Sequence, residues 1–213
     1  MFKKSFAISI LLACSLNASM FGDLAGSLMG SSDGTKTEMQ AIFDKMDQST
    51  NTLVASVELI NGSLGDKKQL TKWDDQNKTI GNLTDDEKVP AIAKLNQEKI
   101  EYATALGLNK DAVTKAKKLP NDQKSKIGTA ISDILLVSKQ EKETANKAKD
   151  LVKSIVANPK SALLYAGDLP KLKDVVSNTP AMLSAQAALS KNLVILANSA
   201  NITIQQPVAT AEK

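Results

Sequence analysis

Residues 121–158 read NDQKSKIGTAISDILLVSKQEKETANKAKDLVKSIVAN, and the next proline is Pro159. Only Gly128 weakens this stretch as a helix former, so nothing in it stops a helix once one has started. Ile127, Ile131, Ile134, Ser138, Glu141, Ala145, Ala148, Val152 and Ile155 alternate spacings of four and three. Such a step keeps one seam turned toward a partner helix. A helix of about 35 residues, capped by Asn121, would span roughly 50 Å. The ends of the seam carry isoleucine and valine, whereas its middle carries Ser138, Glu141 and alanines inside the charged run 139–149. That predicts a middle that is solvated or meets a thin neighbour through its alanines, with Glu143 and Lys147 paired on the wet face. Internal packing is the plain reading of the seam, and a stripe for a partner is the alternative.

Working outward, Met39, Ile42, Phe43, Met46, Leu53, Val54, Val57, Ile60 and Leu64 recur at threes and fours and predict an amphipathic helix of about 25 to 30 residues. Gly62, Gly65 and Gly81 with clustered Asp, Asn and Lys mark a turning region, in which a short helix carries Leu70 and Trp73 back to the core. Thr84 and Glu87 have capping-box spacing, but Pro90 would then lie inside the helix, so a start near Pro90 is the reading preferred. Ile92, Leu95, Tyr102 and Leu106 continue that helix to Gly107, and a short one runs from Asn109 to the Leu119-Pro120 step. After Pro159 and Pro170 come two short pieces. Asn178-Thr179-Pro180 then predicts a fresh start, with Thr179 as cap, for an alanine-rich helix over 181–197. Ile202, Thr203 and Ile204 read as a short extended end. The fold expected is all-α, a multi-helix bundle with one long helix and several short helices begun by proline. The division is a leader over 1–19, a flexible Gly/Ser-rich linker over 20–34, a single helical domain over 35–205 and a disordered tail over 206–213.

The leader reading rests on Lys3 and Lys4 followed by the run from Ser5 to Ala13, the n-region and h-region of a secretory signal peptide. That run is too short to span a bilayer. Two cleavage readings stay open. Leu11-Leu12-Ala13-Cys14 resembles the lipobox of bacterial lipoproteins, which implies a leader over 1–13, lipidation of Cys14 and anchoring in the outer membrane. Ordinary cleavage after Ala18 or Ser19 instead implies a free periplasmic or secreted chain. Cys14 is the only cysteine, so either outcome leaves no free thiol and no internal disulfide.

The chain has 213 residues, 27 basic against 23 acidic, and every base is lysine. Removing Lys3 and Lys4 leaves an excess of two, which argues against nucleic acid as the partner. Without arginine there is no bidentate fork for phosphate or carboxylate. The absence of histidine removes imidazole catalysis, imidazole metal ligation and a histidine switch. No phosphate loop, metal-spaced cluster or nucleophile motif is present, so no enzyme activity and no cofactor are expected. The acidic groups Asp74-Asp75 and Asp85-Asp86-Glu87 lack the spacing of a calcium loop and read as surface. One modification motif stands out. Asp75-Gln76-Asn77-Lys78-Thr79 resembles the extended acceptor of some bacterial N-glycosylation systems, which makes Asn77 the candidate; Asn17, Asn61, Asn82 and Asn201 lack the acid two positions earlier.

The functional expectation is a non-enzymatic exported helical protein of the bacterial cell envelope, acting as a scaffold, accessory subunit or surface interaction factor. Its partner would be another envelope protein, with the membrane reached only through a lipid anchor. The alternative is a periplasmic carrier or chaperone holding an apolar ligand or client between helices. Met39, Met46 and Met182 would suit such a groove, although core packing is their simpler role.

Overall fold

A computed structural model describes residues 34–205, so the leader, Cys14, Ala18, Ser19, nearly all of the linker and the tail lie outside the described residues. Within them the chain is all-α. The order is α1 (Gly34–Leu64), α2 (Lys67–Gly81), α3 (Asp85–Leu106), α4 (Lys110–Lys117), α5 (Asn121–Ala157), α6 (Pro159–Leu164) and α7 (Leu169–Ala200).

Helix α5 runs 37 residues and lies between α1 and α7. Its inward positions form two heptad rows. Ile127, Ile134, Glu141, Ala148 and Ile155 make one, and Ala130, Val137, Thr144 and Leu151 make the other; all are buried. The row 131, 138, 145 and 152 is fully covered only at Ile131. The sequence seam thus contained the central row, and its flank lies on the opposite side from the one expected over most of the helix. No partner is required to bury this seam, because α1 and α7 cover it from within the chain.

Burial divides into two apolar clusters. The upper one joins Leu53, Val57, Ile60 and Leu64 of α1 to Ile127–Val137 of α5, Leu189–Ala200 of α7, the inner faces of α3 and α4, and Ile202. The lower one joins Met39, Ile42 and Met46 to Ala148, Leu151 and Ile155, with Tyr165, Leu172, Val175 and Met182. This pairing sets α5 antiparallel to both α1 and α7. Ile60, Ile127, Ile131 and Ile134 are wholly enclosed, each contributing about 1.5–3 kcal/mol relative to an exposed position. The three methionines lie inside the lower cluster as core residues.

Two expected boundaries are corrected, and both involve proline. Helix α3 begins at Asp85, not near Pro90. Thr84 donates its backbone N–H and its hydroxyl to Glu87 Oε2, at 3.2 and 2.9 Å, and Asp85, Asp86 and Glu87 place negative charge at the positive end of the helix. Those gains offset the one backbone bond that Pro90 removes. Likewise α7 does not restart at Thr179; it continues through Pro180. Thr179 is buried and its hydroxyl donates to the Val175 carbonyl at 2.5 Å, so it ties adjacent turns instead of capping. Pro180 lies on the exposed side, where water reaches the carbonyl it leaves unpaired. At α5 the cap position is Pro120, and Asn121 is already helical.

Two glycines mark close approaches. A Cβ on Gly107 would sit 2.4 Å from the Asn192 carbonyl carbon, and one on Gly128 would sit 2.1 Å from the Thr203 carbonyl oxygen. Gly128 is therefore the point where the segment after α7 crosses α5. Asn201 adopts a left-handed conformation (φ 55°) that turns Ile202 back, its N–H reaching the Ala197 carbonyl at 2.9 Å. Gln205 Nε2 then donates to Ser125 Oγ at 3.2 Å.

Candidate functional site

The least embedded of the longer helices is α2, which has one buried residue, Trp73. Its start is well defined. Asp66 accepts from the Lys68 N–H at 2.7 Å, and its own N–H donates to the Tyr102 hydroxyl at 2.9 Å. Trp73 meets the Tyr102 ring edge-on, with centroids 5.2 Å apart and planes at 89°, a favoured aromatic geometry. One turn later Gln76 Nε2 donates to Glu98 Oε2 at 3.4 Å, and Lys72 pairs with the same oxygen at 3.7 Å. These outer contacts are partly exposed and contribute little. Trp73 and Tyr102 hold the helix.

Each flank of α2 borders a depression. Between α2 and α3 lies an open groove of about 620 Å³, with Ile80, Leu83, Ala91 and Leu95 among its apolar walls and Lys68, Lys72, Lys94, Asp75 and Glu98 as its charged groups. On the other flank a smaller cavity of about 260 Å³ is bounded by α1, α2 and α3. There Asn61, only 1% exposed, donates Nδ2 to the Lys99 carbonyl at 2.9 Å, and Lys99 Nζ pairs with Glu58 Oε1 at 2.5 Å. Asn61 Oδ1 and Trp73 Nε1 have no hydrogen-bond partner in the protein. An unmet buried polar group costs about 1–3 kcal/mol, and Ser132, Glu141, Gln186 and Ser190 carry such atoms elsewhere in the core.

A second polar feature lies at the junction of the two apolar clusters. Ser49 and Thr50 of α1, Glu141 and Thr144 of α5 and Gln186 of α7 are buried there. The solvated middle expected for α5 is thus corrected: Glu141 is 0% exposed, and it accepts from Gln186 Nε2 at 2.5 Å. Burial pushes its carboxyl up to about 8, against the opposing effect of the Gln186 bond, so it is mostly protonated at neutral pH. A protonated Glu141 brings an O–H donor to the layer that holds Gln186 Oε1, itself without a donor. Nearby Asp47 is raised to about 6, first by burial and then by the Asp44 charge. The seam register carried the signal for Glu141, since it placed that residue in line with Ile134 and Ala148.

Asn77 is exposed on α2 and borders the smaller cavity. Its neighbour Asp75 accepts from Lys78 at 3.2 Å, and the Thr79 hydroxyl donates to the Asp75 carbonyl at 3.0 Å. Asp74, Asp75, Asp85, Asp86 and Glu87 are exposed, as expected. Glu143 and Lys147 are exposed too. What sequence reasoning missed is the meeting of Asn61, Trp73 and Lys99, which lie on three different helices. Among the described residues no group of acids is placed to hold a metal, and no helix is long and apolar enough to cross a membrane. Comparison with protein-family models, curated proteins and solved structures finds no match to this chain.

Proposed function

We propose that this chain is an exported, non-enzymatic helical protein of the bacterial envelope that works by gripping a segment of another envelope protein, as a scaffold, accessory subunit or surface factor. The observation that supports the reading is the open groove between α2 and α3. Its walls include apolar residues, and its lining holds Lys68, Lys72 and Lys94 against Asp75 and Glu98, with Lys72 paired to Glu98, which suits an amphipathic segment whose apolar face enters the groove. Export is supported by the leader-like residues at the start of the sequence. The reading of a carrier holding a client against methionines gains nothing from Met39, Met46 and Met182, whose side chains are occupied in the lower cluster.

The test is site-specific photo-crosslinking in bacterial cells expressing the full chain, with the photoreactive group at Thr79 in the groove or at the exposed Lys117 on α4. A discrete adduct formed from Thr79 and not from Lys117 is the expected result. Adducts of equal yield from both positions, or from neither, count against the groove. The intact mass of the same purified chain addresses export. Acyl mass on Cys14 makes it a lipoprotein, a start near Ser19 or Met20 makes it a free exported protein, and an uncut chain starting at Met1 removes the export reading.

A further inference from the structure

Asn17, Asn61, Asn77, Asn82 and Asn201 each stand in Asn-x-Ser/Thr, and their surroundings differ. Asn17 lies outside the described residues and has Ser15 two positions before it. Asn61 is 1% exposed, and its amide nitrogen already donates to the Lys99 carbonyl at 2.9 Å. Asn82 and Asn201 are exposed, but Ile80 and Ser199 stand two positions before them. Only Asn77 joins an acid at that position to an exposed amide. Asp75, Lys78 and Thr79 are exposed with it, on a helix that buries a single side chain.

Acid, asparagine and hydroxyl are spaced by two. In an extended chain such residues share one face, so one protein surface can contact all three. In a helix a step of two turns the chain by about 200°. Accordingly the Thr79 hydroxyl reaches the Asp75 carbonyl at 3.0 Å, and both residues line the groove, whereas Asn77 lines the smaller cavity on the other flank. The three are presented together only when the second half of α2 opens into an extended chain. Trp73, the one buried residue of the helix, precedes the motif, and the helix ends at Gly81, so opening from that end leaves Trp73 in place. Besides the backbone bonds of the last turns, it breaks the Asp75–Lys78 pair at 3.2 Å, the Thr79 bond and the Gln76 bond to Glu98 at 3.4 Å. These side-chain contacts are exposed or partly exposed and contribute little.

We propose that Asn77 is an N-glycosylation site, modified through local opening of the second half of α2 in the otherwise folded chain. The co-substrate is an oligosaccharide joined through C1 to a lipid diphosphate. Asn77 Nδ2 attacks that C1, and the nitrogen–carbon bond forms as the carbon–oxygen bond to the diphosphate breaks. The lipid diphosphate leaves with the electron pair, and one amide proton passes to a base of the transferase. In the cell the site rests on the export reading, because such acceptors belong to secreted chains.

The test incubates the purified full-length chain, folded by circular dichroism, with a bacterial oligosaccharyltransferase that demands the acid and with its lipid-diphosphate oligosaccharide. Isolated components make the outcome independent of export, which the intact mass of the cellular protein decides separately. One added oligosaccharide on the tryptic peptide 73–78 is the expected result. Asn77→Gln should abolish it, and Asp75→Asn should slow it about tenfold or more. Gly81→Ala leaves the motif intact and meets no neighbour within 4 Å; by stiffening the end of α2 it should slow transfer about fivefold. No transfer to the folded chain, transfer to a different asparagine, or a rate untouched by Asp75→Asn overturns the site. A rate untouched by Gly81→Ala overturns transfer through the opened helix.

Discussion

Helices α5 and α2 place their buried polar groups in different surroundings. In α5, Glu141 is enclosed between two apolar clusters and accepts from Gln186 of the neighbouring helix through one oxygen, while its other oxygen has no hydrogen-bond partner. In α2, Trp73 turns toward the body of the molecule and leaves its N–H unmet beside Asn61. One helix is covered on two flanks along its length, and the other buries a single side chain, Trp73, with partly exposed polar contacts around it. The difference separates a body that supplies stability from an arm that borders both depressions. Regions with few buried contacts open at lower free energy than the core, and binding surfaces are drawn from such regions.

The largest effect that would sharpen this contrast comes from the body. Ile134→Ala removes a wholly enclosed side chain and should cost about 2–5 kcal/mol, read as a fall in the urea midpoint of the single global transition. If it loosened α5 alone, the cooperative body would not exist.

Next comes pH. Glu141 is held up to about 8 when folded, against an ordinary value of 4.5, so the folded chain binds the extra proton across that interval. Stability is fully present below about 4.5 and is lost as pH rises through about 8. Asp47, raised to about 6, adds a smaller loss of the same sign over its lower window. The loss should be of the order of a few kcal/mol between pH 4.5 and 9. Glu141→Gln should flatten the upper part of that fall and be more stable than the parent at pH 9, as measured by urea unfolding. A Glu141→Gln profile that tracks the parent would mean that Glu141 ionises without cost in the folded state.

Trp73→Ala is expected to act mainly on the arm. Its global cost should be about 1–2 kcal/mol, below that of Ile134→Ala, and trypsin should then cut first at Lys67, Lys68, Lys72 or Lys78 while α5 survives. Simultaneous loss of α2 and α5 would merge the two regions into one. The smallest effect belongs to Lys72→Ala. Its partly exposed pair with Glu98 predicts a change within about 0.5 kcal/mol in the same denaturant assay.

Much of this architecture is legible in residue order, because periodicity and burial share a cause. The central row of α5 and the face of α1 follow from spacing alone, and the return of Trp73 to the core follows from its being a large apolar side chain in a short polar helix. Prolines misled at Pro90 and Pro180. In each case the sequence displays the cost of a missing N–H, while what offsets it is the Thr84–Glu87 cap in one helix and the packing of Val175 and Met182 in the other. The polarity of Glu141 obscured its own register position, since a carboxylate reads as wet until burial keeps its proton. The Asn61–Trp73–Lys99 corner was not legible at all. It depends on the relative placement of three helices, which no local spacing encodes.

The central claim is that α2 is a loosely held arm on a cooperative body, and native-state hydrogen exchange of the full chain, resolved by residue, tests it most directly. The account predicts that α2 amides exchange through a local opening well below the global unfolding free energy, insensitive to low urea, while the amides of Ile127–Val137 and Leu189–Ala197 exchange only with global unfolding. Equal opening free energies for α2 and α5, with the same urea dependence, would contradict it.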